Sequence, residues 1–247
     1  MGGGVWRDLG RISYDEALEL QRDTAQAKRD GVLEDDVLFL LEHPAVITHG
    51  RSSADVHVTA SAEALREAGV VNHEIERGGD VTYHGPGQLV GYPVLDLGRY
   101  RRDLHWYLRS LEEVMIRTLG SLGLDAARAE GLTGVWVGEG IASATGDGVV
   151  PSLEATGLVR AGAIRKIASI GIHASRWITT HGFALNHTAE SLAGFRWIVP
   201  CGIDGVDVTS IESEGCEVRL DLLKQRVVDE FESVFGVRLQ KSQHPTP

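Results

Sequence analysis

Two side chains in this sequence have surroundings suited to covalent chemistry, Cys201 and Lys166. A thiol is the strongest ordinary nucleophile near neutral pH once its environment favours the thiolate. Cys201 lies in Val199-Pro200-Cys201-Gly202-Ile203, where proline and glycine predict a turn that exposes the sulfur and lets the Gly202 amide approach a carbonyl. The other cysteine, Cys216, sits in Glu214-Gly215-Cys216-Glu217, where neighbouring carboxylates oppose a thiolate. Lysine is scarce here, and Lys166 falls inside the strand-like run Ile164-Arg165-Lys166-Ile167-Ala168-Ser169-Ile170-Gly171. Alternation places it on one face with Ala168, Ile170 and Ile172, a poor setting for an unaccompanied ammonium. Two arrangements satisfy that pattern: a lysine aimed into a pocket, or an edge-strand lysine with its stem packed and its charge in water.

A ligand-meeting segment lies upstream. Residues 77 to 93 read Arg-Gly-Gly-Asp-Val-Thr-Tyr-His-Gly-Pro-Gly-Gln-Leu-Val-Gly-Tyr-Pro. Glycines let a backbone come close to a bound group, and turns alone do not require Arg77, Thr82, Tyr83, His84 and Gln88 beside them. A second segment of this kind is Thr179-Thr180-His181-Gly182-Phe183-Ala184-Leu185-Asn186-His187. Ten histidines raise the possibility of a metal, yet none forms a helical His-Glu-x-x-His or joins a Cys-x-x-Cys, so no metal or other cofactor is expected. Ser169 lacks the Gly-x-Ser-x-Gly elbow of a serine hydrolase.

The elements that must hold these residues are legible from periodicity and punctuation. Ser13 followed by Glu16 is a capping box, predicting a helix over 14 to 29 that Gly31 stops. Residues 36 to 41 and 45 to 49 read as strands split by Pro44, and 62 to 67 as a short helix. Residues 73 to 75 and 89 to 97 read as strands anchoring the glycine-rich loop. Leu104, Leu108, Leu111, Met115, Leu119 and Leu122 mark one face of a helix from 103 to 122. Strands are predicted at 133 to 137, 164 to 173 and 178 to 187, and a last helix at 221 to 235. Residues 138 to 163, rich in Gly, Ala and Ser, read as a mobile excursion, and 243 to 247 as a frayed tail. Consecutive strands without intervening helices argue for α+β rather than a doubly wound sheet.

Composition narrows the class further. At 247 residues and 43% apolar content, with no linker or repeat, a single domain with a substantial core is expected. A net charge of −11 argues against general nucleic-acid binding. No stretch suits a membrane span, no leader or lipid anchor is visible, and two cysteines make a poor disulfide framework; a cytoplasmic protein is expected.

Together these segments resemble the octanoyltransferases of lipoate synthesis, relatives of the biotin and lipoate protein ligases. The resemblance rests on Arg77-Gly78-Gly79-x-x-Thr82-Tyr83-His84-Gly85-Pro86-Gly87-Gln88, Arg165 to Gly171, Thr180 to Asn186, and Pro200-Cys201-Gly202-Ile203. Thr48-x-Gly50-Arg51 and Val208-Thr209-Ser210 also fit, so it spans about residue 13 to residue 236. Residues 138 to 163 look longer than the usual connection there.

The resemblance implies a mixed, largely antiparallel sheet flanked by helices. It implies transfer of an octanoyl group from octanoyl-acyl carrier protein, through a Cys201 thioester, to a lysine of lipoyl domains, without ATP. The acceptors it implies are the lipoyl domains of 2-oxoacid dehydrogenase complexes or the glycine cleavage H protein. Lys166 would favour the thiolate and later take a proton from the attacking amine. Substrate contacts are implied for Arg77, Gly78, Gly79, Asp80, Val81, Thr82, Tyr83, His84, Ser169, Ile170, Gly171, Gly182, Phe183 and Ala184. Arg99, Arg101 and Arg102 are the candidate docking patch for an acidic carrier. Competing expectations are an ATP-dependent lipoate or biotin protein ligase and a noncatalytic lipoyl-domain binding module.

Overall fold

A computed structural model describes residues 3–53, 57–139, 141, 149–150, 163–199 and 206–242. Twelve strands and four α-helices follow one another along these residues. They are β1 (Gly3–Arg11), α1 (Tyr14–Arg29), β2 (Asp36–Glu42), β3 (Val46–His49), α2 (Ala62–Glu67), β4 (Val71–Glu74), β5 (Val81–His84) and β6 (Gln88–Val94). Then come α3 (Leu104–Gly120), β7 (Ala126–Ala129), β8 (Leu132–Gly138), β9 (Val149–Val150), β10 (Ile164–Ser175), β11 (Ile178–Asn186), α4 (Leu220–Phe235) and β12 (Arg238–Lys241).

Nine strands form one sheet in the order β12-β1-β2-β6-β11-β10-β8-β7-β9. It is antiparallel through its centre and parallel at both ends, where β1 joins β2 and β12, and β7 joins β9. A smaller sheet, β4-β3-β5, packs beside it. This is the mixed α+β arrangement expected from the sequence.

Alternation explains how one sheet supports two cores. Along β2, Leu38 and Leu40 join the cluster under α3 and α4, while Val37, Phe39 and Leu41 join the cluster under α1. Both faces are covered, so β2 is a continuous apolar run. The Ser13–Glu16 capping box closes reciprocally at the start of α1, and Gly31, at φ 72°, follows its end.

Three local expectations need correction. The glycine-rich segment at 77 to 93 is not one loop: it contains β5 and most of β6, joined by the turn at Gly85-Pro86-Gly87. The strand expected at 73 to 75 is β4, one to two residues earlier, and that expected over 89 to 97 ends at Val94, followed by a single 3₁₀ turn at Leu97–Arg99. β1, β7 and β12 went unpredicted because glycine-rich, alanine-rich and charged residues hide their strand character. The expected frayed tail, and most of the excursion expected at 138 to 163, lie outside the described residues.

Candidate active site

The site forms where the small sheet faces β10 and β11 of the large one. In the β10–β11 register, Ser169 opposes Ala184 and Gly171 opposes Gly182. Four small residues on one face leave a trough where larger side chains would fill the space. A Cβ on Gly171 would meet Arg77 Cδ at 2.8 Å and Gly78 O at 3.2 Å, so the 77–84 segment lies directly over this floor. Gly78 N donates to Ile172 O at 2.9 Å and fastens it there.

Between floor and cover is a cavity of about 370 Å³. Its lining includes thirteen of the fourteen expected substrate contacts: Arg77, Gly78, Gly79, Asp80, Val81, Thr82, His84, Ser169, Ile170, Gly171, Gly182, Phe183 and Ala184. Tyr83 is not among them. Neighbours on β5 point to opposite faces, and its ring packs edge-on against Phe195 and Trp197 instead. Lys166 joins the cavity wall and is 3% exposed.

The strand pairing accounts for the placement of Lys166. Its backbone pairs with Trp136 on β8, and a register shift follows before Ala168 meets Val135. Gly134, at φ 109°, lies where a Cβ would sit 2.6 Å from Lys166 Cε, so the missing side chain makes room for the lysine stem. The ammonium nitrogen rests 5.4 Å from the centre of the Trp136 ring. On its other edge Lys166 N donates to Asp207 O at 2.8 Å, and Thr209 N donates to Lys166 O at 2.9 Å. The described chain resumes at Val206, just before this contact; Cys201 lies outside the described residues.

The wall at His84 and His181, with His43 packed behind His84, is polar but largely uncharged. His43 and His181 have their basicity lowered to about 4 and His84 to about 3, in each case chiefly through burial. For His84 the nearby His43 is the next cause, and for His181 it is Arg77. Burial also drives the Tyr14 and Tyr92 phenols upward, so both stay protonated. The Arg77 guanidinium donates to Thr48 O at 2.7 Å and Thr48 Oγ1 at 2.9 Å, and to Gly78 O at 3.2 Å. Such a cavity suits an apolar chain attached to a neutral, polarisable group.

Tyr14, Tyr92, Leu108, Gly131, Leu132, Thr133 and His181 also line it. The sequence marked His181-Gly182 as approachable; Tyr14 and Leu108 carried only a helix signal. The arginines at 99, 101 and 102 lie elsewhere. Arg99 donates to Glu34 O, Arg101 pairs with Asp103 at 3.2 Å, and Leu97 N bonds Trp177 O at the β10–β11 turn. Lys166 is ten residues back along β10 from that turn, about 33 Å at strand rise.

Fold and cavity together place a buried lysine at the wall of a space large enough for a small ligand. Residues 13–232 match the lipoyl protein ligase A/B catalytic domain, and the chain belongs to that family. Its relatives include the octanoyltransferase of Solibacter usitatus, 44% identical over 233 residues covering 94% of this chain and 93% of the relative. The octanoyltransferase of Cytophaga hutchinsonii is 39% identical over 252 residues, covering 97% and 95%. Among solved structures, a bipartite lipoate protein ligase from Thermoplasma acidophilum superposes with a TM-score of 0.71 at 15% identity, covering 98% of this chain and 87% of that one. A lipoate-protein ligase A bound with ATP gives 0.69 at 16%, covering 98% and 90%. These two likenesses establish the fold.

Proposed function

We propose that this chain is an octanoyltransferase of protein lipoylation, working as one catalytic domain over about residues 13 to 236. The observation that carries the reading is Lys166: a lysine withdrawn from water at the wall of a mostly neutral cavity, in a chain 44% identical to an octanoyltransferase. In the first step the Cys201 thiolate attacks the carbonyl carbon of an octanoyl thioester on acyl carrier protein. The tetrahedral adduct collapses, the C–S bond to the carrier breaks, and the carrier leaves as its thiolate, which takes a proton from the Lys166 ammonium and leaves that amine neutral. In the second step the amine of a lipoyl-domain lysine attacks the octanoyl-Cys201 carbonyl. Its excess proton passes to neutral Lys166, and the C–S bond to Cys201 breaks to leave the amide.

Thioester exchange is nearly balanced and amide formation runs downhill, so no ATP enters. An unperturbed thiol titrates near about 8.5 and an amine near about 10.4, so an ammonium beside the sulfur favours the thiolate. Chain connectivity supports this pairing: Cys201 is six residues from Asp207, whose carbonyl accepts from Lys166 N. The cavity supplies the acyl selectivity. Each buried methylene contributes roughly 0.8 kcal/mol, so chains a few carbons shorter bind less well.

Intact mass spectrometry tests the reading. Incubation with octanoyl-acyl carrier protein adds one octanoyl group, Cys201→Ser abolishes the adduct, and a lipoyl domain discharges it. A protein that stays unmodified with the carrier but octanoylates the domain from free octanoate and ATP is a ligase. One that binds the domain and transfers nothing is a binding module.

A further inference from the structure

Asn186 closes β11, and beyond it the lane beside β10 is taken over by a different stretch of chain. Residues 207–209 bond to both the N–H and the C=O of Lys166, on the edge away from β8, so they continue the sheet where β11 stops. The join is made by a side chain: Asn186 Nδ2 donates to Thr209 O at 2.9 Å. Asn186 Oδ1 accepts from Gln88 Nε2 at 2.8 Å, and Gln88 Oε1 lies 2.7 Å from His84 Nδ1. His84, Gln88, Asn186 and Thr209 are each at most 7% exposed, so water cannot substitute for any of these bonds.

The direction of the chain is determined by its ends. Thr209 O and Tyr83 O can only accept, so the Asn186 amide nitrogen faces Thr209, and the Gln88 amide nitrogen faces Asn186 Oδ1 and Tyr83 O. The remaining Gln88 oxygen must accept from His84, whose Nδ1 therefore carries the hydrogen. Turning either amide over would set donor against donor or acceptor against acceptor at two buried contacts.

We propose that Gln88 and Asn186 are positioning residues for the transfer reaction: a one-way hydrogen-bonded relay that runs from the cavity wall at His84 to the Thr209–Lys166 backbone contact. It keeps the 207–209 segment, and with it the Lys166 backbone, in step with the cavity. The relay rests on the reading that Lys166 and Cys201 carry the transfer. Misplacing reacting groups by about 1 Å costs on the order of a hundredfold in rate, and this is the scale expected for breaking the chain at its centre.

Asn186→Asp tests the relay at constant size, because a carboxylate accepts from Gln88 but cannot donate to Thr209 O. The full chain is compared with wild type by single-turnover acylation, by the pH dependence of Lys166 reductive methylation, and by imidazole ¹⁵N spectra. Asn186→Asp should lower the acylation rate about a hundredfold with the KM for octanoyl thioester little changed, and should shift the Lys166 methylation profile. Asn186→Gln, which keeps both amide functions, should recover part of the rate. In wild type the His84 spectrum should show the Nδ1–H tautomer, and Gln88→Ala should release it. A folded Asn186→Asp protein with wild-type acylation and methylation profiles would overturn the relay, as would an Nε2–H tautomer at His84 in wild type. Absence of any acyl adduct in wild type sinks the transfer reading instead; the methylation and imidazole measurements still judge the relay.

Discussion

Lys28 and Lys166 are both buried, in two regions that use burial differently. At the end of α1 the Lys28 ammonium lies 3.2 Å from Asp36 and donates to Glu34 O and Asp35 O. Tyr100 adds a bond to the same carboxylate at 2.5 Å, and Arg99 stands 3.8 Å away. Every charge there is directed at a structural partner. At the cavity, Lys166 lies over an aromatic ring, beside a glycine that leaves room for it, and borders space large enough for a ligand. Burial is common to both lysines; the cavity beside the ammonium is what sets Lys166 apart from Lys28.

The largest effect should separate these two lysines. Lys166→Ala is expected to slow octanoyl transfer by about 10³-fold, within the range for loss of a general acid–base group, with little change in unfolding free energy. Lys28→Met should do the reverse. Leaving Asp36 buried without its lysine should reduce stability by about 3–5 kcal/mol in urea denaturation, while transfer per folded molecule stays at the wild-type rate. Exchange of these two outcomes would break the comparison.

A smaller effect sharpens it, because the cavity region titrates in its own way. Folding lowers the basicity of His43, His84 and His181, so the unfolded chain binds more protons below its ordinary histidine value of about 6.5. Stability should therefore be fully present above that pH and fall as acid is added. The loss should be about 1.4 kcal/mol per pH unit for each histidine, levelling near pH 4 for His43 and His181 and near pH 3 for His84. His43→Phe should flatten that slope in denaturation curves taken between pH 6.5 and 4. Smallest is Ser13→Ala, which removes the α1 cap at a cost of about 1 kcal/mol and leaves transfer unaffected.

Legibility followed the range of the interaction. The boundaries of α1 and α2 match their expected residues because caps and periodicity lie within one helix turn of the chain. β5 was hidden because its four residues sit among glycines and pair with β3, more than thirty positions upstream. The glycine-rich motif predicts a ligand-facing segment; the structure sets most of it along a cavity, where alternation within β5 sends Tyr83 away while Thr82 and His84 border it. For Lys166 the pattern left a pocket and an edge both open. Pairing with β8 on one side and with 207–209 on the other excludes the edge.

The family, the residue types able to do acyl chemistry and most helix and strand positions were determined by the sequence itself, because motifs and amphipathic periods are local properties of a chain. Only the tertiary structure decided which side chains share a cavity. His181 holds φ 59° with its amide on Gln21, 160 positions away, and Gln88 reaches Asn186 across 98. Contacts at such separations depend on sheet register and on burial strong enough to neutralise histidines, and neither is written in any single segment.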